Sequence, residues 1–271
     1  MNWLQCILYG LFLGFGEFIP VPNGAQMHIL QQIFGSSVND PLRELLVHIF
    51  SLAAFFLAWR NPLDVIRRDS RMAQRGTRIY NQIYRGSADS QFVRTAAIPM
   101  LISMIVIMFL YEGSKIWTMI ILLINGIILY LPERMLQGNK TAKSMSPLDG
   151  VLIGLCSALS VIPGMSRVGL GVSVGMMRGA DRKHTLNWAY LLSVPALLLL
   201  IGGDLFVLIF ASQTVTLSTG FGGYLLLSIF SFAGAYLSVF LVRNFIIHRG
   251  LHAFAYYSWG AAMFYFILYL L

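Results

Sequence analysis

The chain alternates long apolar runs with short polar loops. Six runs, roughly 42–59, 95–111, 116–131, 185–211, 221–241 and 253–271, approach the ~20 residues that an α-helix needs to cross hydrocarbon. Water cannot satisfy backbone amides inside a bilayer, so chains built this way cross it as helices. The composition agrees: 57% of residues are hydrophobic and 11% are charged, against about 25% charged in a soluble domain. The expectation is an all-α integral membrane protein, one polytopic domain over residues 1–271.

Charge and cysteine usage narrow the function classes. The net charge is +8, but the basic residues sit in loops between apolar runs. Membrane topology uses them there, so no nucleic-acid partner is expected. Cys6 and Cys156 both lie in apolar segments and read as small buried hydrophobes. No CxxC or Cys/His spacing indicates zinc or redox chemistry. No Lys or Arg precedes the first apolar run, so no signal peptide is expected.

Two further apolar segments, roughly 3–35 and 148–178, are interrupted in the middle, at IPVPNG and at VIPGMSRVG. Proline removes a backbone donor and clashes with the preceding turn, and glycine permits a reversal. Both segments read as re-entrant helical hairpins, because broken backbone at membrane depth needs protein or a wet cavity around it. Loop charge supports the count. If six segments cross and two return, loop 60–94 shares one side with loops 132–147, 178–184 and 242–252, which together hold 16 of the 19 basic residues. That side is expected to be cytoplasmic, with loop 60–94 and its RGTRIYNQIYRG stretch lying near anionic headgroups. The hairpins then open toward opposite sides, as an inverted-topology repeat requires. Pro20 and Pro163 lie 143 residues apart, and the repeat halves are expected at roughly 1–131 and 148–271.

Charges inside apolar segments are costly and mark functional sites. Glu17, Arg167 and Asp204 are three such charges. Glu17 and Arg167 fall in the two broken segments, so opposed hairpins would bring them together near the midplane. An arginine there is a bidentate clamp for an anion. Gly164 and Gly169 would let backbone N–H groups approach an oxyanion, and a helix starting near Ser166 would add its positive end. The competing expectation is a buried Glu17–Arg167 pair that only pins the hairpins together. Asp204 reads as a helix-end or capping acid.

The motifs GFGEFIPV (residues 14–21) and SVIPGMSRVG (residues 160–169) resemble the bacterial undecaprenyl-pyrophosphate phosphatase, or bacitracin-resistance, family. The segments LVHIFSLAAFFLAWR and WAYLLSVPALLLLIGGDL carry the resemblance further along the chain. It implies six crossings with two opposed hairpins, and removal of phosphate from a polyprenyl pyrophosphate in the bacterial inner (cytoplasmic) membrane. Glu17, Pro20, Pro163, Gly164, Ser166, Arg167 and Gly169 match the family motifs. The resemblance implies Glu17, Ser166 and Arg167 as catalytic residues. It also implies a divalent cation, Mg or Ca, with Glu17 as ligand.

The departures from the family pattern are equally specific. Leu13 stands where the family has a first glutamate, Asn23 where it has the serine nucleophile, and Gln26 where it has histidine. Val168 and Gly171 replace a serine and a threonine in the second motif. Amides hydrogen-bond phosphate but are neither nucleophile nor base near neutral pH. Asn23, Gln26, Gly164, Arg167, Gly169 and His48 are therefore expected to bind substrate. Ser166 is the remaining candidate nucleophile, and His28 and His48 are candidate displaced bases. Two readings stand at this point: hydrolysis of the lipid pyrophosphate, or a family member that binds or translocates polyprenyl (pyro)phosphate without hydrolysis. A small-anion transporter is a weaker third.

Overall fold

The computed structural model describes residues 1–35, 40–59, 88–111, 114–210 and 217–270. Residues 60–87 of the expected basic loop, including RGTRIYNQIYRG, lie outside the described residues. Among the described residues every regular element is helical. Six helical stretches are long and apolar enough to cross a membrane: Pro41–Ala58, Gln91–Leu110, Lys115–Arg134, Arg182–Phe210, Phe221–Arg249 and His252–Leu270. Five of these match the runs read from the sequence to within four residues, and the stretch from Phe221 runs on to Arg249, eight residues past the expected end. The protein is an all-helical, multi-pass membrane protein.

Both interrupted segments form two short helices around a break. The first gives α1 (Trp3–Gly16) and α2 (Asn23–Ile33). Next come α3 (Pro41–Ala58), α4 (Ala88–Leu110) and α5 (Lys115–Tyr130). The second interrupted segment gives α6 (Pro147–Ala158) and α7 (Arg167–Met177). The chain ends with α8 (Arg182–Phe210), α9 (Phe221–Leu237), α10 (Arg243–Arg249) and α11 (His252–Leu270). A π-turn over Ser238–Val242 carries α9 into α10, so the two form one apolar length.

Local chemistry explains where the short helices begin and end. Asn2 and Gln5 close a capping box on α1, and Ser146 and Asp149 do the same on α6, where Pro147 takes the first-turn position. Asp40 caps α3 through the Arg43 amide. The first break holds Pro20 and Pro22, and the Val21 N–H turns back onto the Ile19 carbonyl at 2.7 Å. The second break passes through Gly164 at φ +110°, a conformation that L side chains rarely adopt.

The helix pairings are reciprocal between the two halves of the chain. Helix α1 packs mainly against α9, and α6 packs mainly against α4. Helix α7 meets α5 as α2 meets α11, and α3 packs on both α9 and α8. Small residues make the two main pairings close. A methyl on Gly14 would lie 2.2 Å from the Ser231 carbonyl oxygen, and one on Gly154 would lie 2.1 Å from that of Ala96. Backbone approach of this kind supplies the packing that helices need where lipid offers no hydrophobic drive. The largest buried cluster gathers Phe18, Phe55, Trp59 and Tyr190. Phe18 stacks on Phe55 at 4.9 Å and meets the edge of Tyr190 at 6.2 Å. Phe18 directly follows Glu17, so this stack fixes the backbone that presents the acid.

Candidate active site

The two breaks meet inside the helical body. The Ser166 hydroxyl donates to the Ile19 carbonyl at 3.3 Å, tying one break to the other. The Ser166 N–H donates to Asn125 Oδ1 at 3.0 Å, and Asn125 Nδ2 donates to Ser258 Oγ at 3.0 Å. This buried chain anchors the second break to α5 and α11. Helix α7 then starts with Arg167 as its first residue, directed at the end of α1.

Arg167 and Glu17 form a contact at 2.6 Å, from a guanidinium terminal nitrogen to Glu17 Oε2. Both side chains are buried. Arg167 Nε donates to Ser193 Oγ at 3.3 Å, and the guanidinium also reaches the Glu17 carbonyl at 3.5 Å. The second Glu17 oxygen accepts from Asn23 Nδ2 at 2.6 Å. His48 Nε2 lies 3.6 Å from that oxygen, and His48 Nδ1 lies 2.8 Å from Asp204 Oδ2. A carboxylate on Nδ1 orients the ring and leaves Nε2 toward the cavity.

Glu17, Asn23, His48 and Arg167 line a cavity of about 200 Å³. Its polar wall is Glu17, Asn23, Glu44, His48 and Arg167. Its apolar lining includes Met104, Met108, Met165 and Leu200. A cleft with a few convergent polar groups on an apolar frame is the usual form of a small-molecule site.

The structure brings together five of the residues singled out from the sequence: Glu17, Asn23, His48, Arg167 and, through His48, Asp204. The others lie elsewhere. Ser166 is 1% exposed and is not part of the cavity wall. Its hydroxyl also accepts from the Gly169 N–H at 3.1 Å, the N-cap bond of α7. That bond occupies the Gly169 amide, so Gly169 offers the cavity no donor. Gly164 packs against Thr118 and Ile121 of α5 and is also absent from the wall. Gln26 turns away to donate to the Tyr257 hydroxyl at 3.0 Å. A methyl on Gly16 would lie 2.6 Å from Gln26 Oε1, so Gly16 makes room for that amide. His28 does not line the cavity either.

Three contributors were not predicted in these roles. Asp204 read as a helix-end acid, yet it holds His48. Ser193 supports Arg167. Glu44 lines the cavity one helical turn before His48. The i, i+4 spacing of Glu44 and His48 was available in the sequence as a signal that one face of α3 is polar.

The residues do not fit a tightly held divalent ion in this arrangement. Both oxygens of Glu17 are engaged, by Arg167 and by Asn23. Leu13, one turn before Glu17, adds an apolar side chain to the wall. Among the described residues no group of three or more His, Cys, Asp or Glu side chains is spaced to hold a metal.

Comparison with known proteins follows the same lines. Residues 6–264 match the family model described as bacitracin resistance protein BacA. An undecaprenyl-diphosphatase of Carboxydothermus hydrogenoformans is 32% identical over 96% of this chain and 94% of that protein. An undecaprenyl-diphosphatase of a Nocardioides species is 27% identical over 97% of this chain and 95% of that protein. Undecaprenyl-diphosphatase 1 of Shouchella clausii is 28% identical, over 98% and 96% respectively. With a family match across nearly its whole length and relatives covered end to end, the chain belongs to the bacitracin resistance protein BacA family.

Proposed function

We propose that this protein dephosphorylates undecaprenyl pyrophosphate to undecaprenyl phosphate in the cytoplasmic membrane of a bacterium. The observation that carries the reading is the Arg167–Glu17 pair at 2.6 Å, built from two helix breaks and facing a cavity inside a multi-pass helical body. Near full-length similarity to relatives named for this hydrolysis favours it over a protein that only binds or moves the lipid. Both broken segments re-enter in this reading, with the basic loops on the cytoplasmic side.

Arg167 binds the pyrophosphate. A phosphate oxygen takes the guanidinium from Glu17, exchanging one charge-assisted pair for another. Glu17 is then released beside His48 Nε2, 3.6 Å away. Water attacks the terminal phosphorus, and the bridging oxygen leaves with its electron pair as lipid phosphate. His48, oriented by Asp204, takes the proton of the attacking water. Asn23 supplies an amide donor to the oxyanion that replaces Glu17. In this assignment Ser166 holds the start of α7 and thereby aims Arg167. A divalent cation stays a proposal from the resemblance, with Glu17 as its ligand once released, and no step depends on it here.

The test is phosphate release from undecaprenyl pyrophosphate by the purified protein in detergent. Wild type is expected to release phosphate. Arg167→Ala and Glu17→Gln are expected to reduce the rate by about 10²-fold or more. Wild-type protein that binds the lipid but releases no phosphate overturns the hydrolytic reading. Undiminished lipid binding in Arg167→Ala overturns the role of Arg167.

A further inference from the structure

The cavity is too small to hold a polyprenyl lipid. Its 200 Å³ is below the roughly 300–1,000 Å³ of pockets that enclose a drug-sized ligand. A phosphate group fits there, and a long isoprenoid chain must leave. The lining is mixed in chemistry. Glu17, Glu44, His48 and Arg167 are its charged or polar members. Met104 and Met108 of α4 and Leu200 of α8 are apolar members that suit a hydrocarbon.

That apolar lining runs out of the protein. Met104 is 1% exposed, and Met108, one turn further along α4, is 41% exposed. Both lie in the spanning stretch Gln91–Leu110, so the outer end of the wall meets lipid. Helix α8 carries no side chain at the facing position. A Cβ built on Gly203 would meet nothing within 4 Å except the Met108 terminal methyl, at 3.2 Å. Leu200, Gly203 and Asp204 are spaced i, i+3, i+4, so one face of α8 spans cavity wall, gap and the carboxylate that holds His48. The space over Gly203 is therefore bounded by helix backbone and a flexible methionine that itself lines the cavity. Methionine is unbranched and adapts to irregular apolar shapes.

We infer that the seam between α4 and α8, at Met108 and Gly203, is the passage through which the isoprenoid chain of a prenyl pyrophosphate leaves the cavity for the bilayer. The inference rests on the pyrophosphate being bound at Arg167, as proposed above. The two ends of such an amphiphile match the two kinds of lining: anion at the guanidinium, hydrocarbon at the methionines. The passage is lateral, so the lipid enters and leaves without its chain crossing water.

Gly203→Leu plugs the gap. Its nearest neighbour is the tip of a flexible side chain, so the substitution needs no backbone movement, and leucine favours helix. Phosphate release is compared for undecaprenyl pyrophosphate and for dimethylallyl pyrophosphate, whose chain is too short to reach the membrane. The expected result is a KM for the long substrate raised about tenfold, with release from the short substrate within about twofold of wild type. Equal loss with both substrates, or no change with either, overturns the passage.

A second measurement does not depend on turnover. An isoprenoid pyrophosphate carrying a diazirine near its head group is expected to label α4 and α8 around Met108 and Gly203. Labelling confined to α9 or α11 overturns the inference. So does lipid-independent disulfide pairing of Met108→Cys protein, which would assign the seam to a second copy of the chain. Wild-type protein that releases phosphate from neither substrate but labels at α4 and α8 would sink the hydrolytic reading and leave the passage standing.

Discussion

Ser166 belongs to the motif yet does a structural task. Its hydroxyl accepts from the Gly169 amide and donates to Ile19, and it is buried away from the cavity. Ser166→Ala is therefore expected to keep phosphate release within about tenfold of wild type while costing about 1 kcal/mol of stability, the usual value of an N-cap. Rate loss to background, with unchanged melting, would make Ser166 the nucleophile instead. Leu13 poses the opposite case. It lies one helical turn before Glu17, and both line the cavity. Leu13→Glu would place two carboxylates on one face, and charge count is a main lever on affinity for hard cations. The variant is expected to bind Mg or Ca about tenfold or more tightly than wild type, as read by calorimetry. No gain would mean that Glu17 stays committed to Arg167.

The short helices of the breaks hold their places through their ends. Asp149 completes the capping box of α6, and its Oδ1 lies 2.6 Å from Arg178 Nε just beyond α7. One carboxylate thus ties together the two ends of the second broken segment, outside the six spanning stretches. Burial pushes its pKa up, but hydrogen bonds from Ser146 and Arg178 outweigh that and hold it below the ordinary range. A carboxyl depressed in this way stabilises the fold above its unfolded value of about 4. The contribution fades as pH falls through the folded value. Asp149→Asn is expected to lower the melting temperature at neutral pH, and the gap to wild type is expected to close below about pH 4. A gap that stays constant down to pH 3 would show that the carboxylate charge contributes nothing. The first broken segment is held differently, by the Phe18 stack and the close approach of α1 to α9.

Across the whole molecule, the groups of the proposed site come from both halves of the chain. Glu17, Asn23 and His48 belong to the first half, and Arg167 and Asp204 to the second. The His48–Asp204 contact spans 156 residues of sequence and joins α3 to α8. If His48 carries the proton, His48→Gln lowers kcat by about 10²-fold. Asp204→Asn is then expected to lose about tenfold in kcat with KM little changed, because it acts through the ring it orients. A raised KM with intact kcat in either variant would move the pair from proton transfer to binding.

The number of helices long and apolar enough to cross a membrane and the positions of the breaks were legible in the sequence. Both depend on local properties: the length of an apolar run, and the inability of Pro20, Pro22, Pro163 and Gly164 to continue a helix in lipid. The meeting of Glu17 with Arg167 was also readable, because isolated charges in two broken apolar segments have few other places to go. The tertiary structure decided which polar residues near the motifs face the cavity. Ser166, Gly169 and Gln26 sit close to Glu17 or Arg167 in sequence, but helix capping and a tyrosine hydroxyl claim them first. Glu44 and Ser193 reach the site from spanning helices whose apolar pattern hides them, and Asp204 stood out as a charge without its partner being readable. Their roles depend on helix rotation and on contacts between different helices, 156 residues apart for Asp204 and His48, which no local rule fixes.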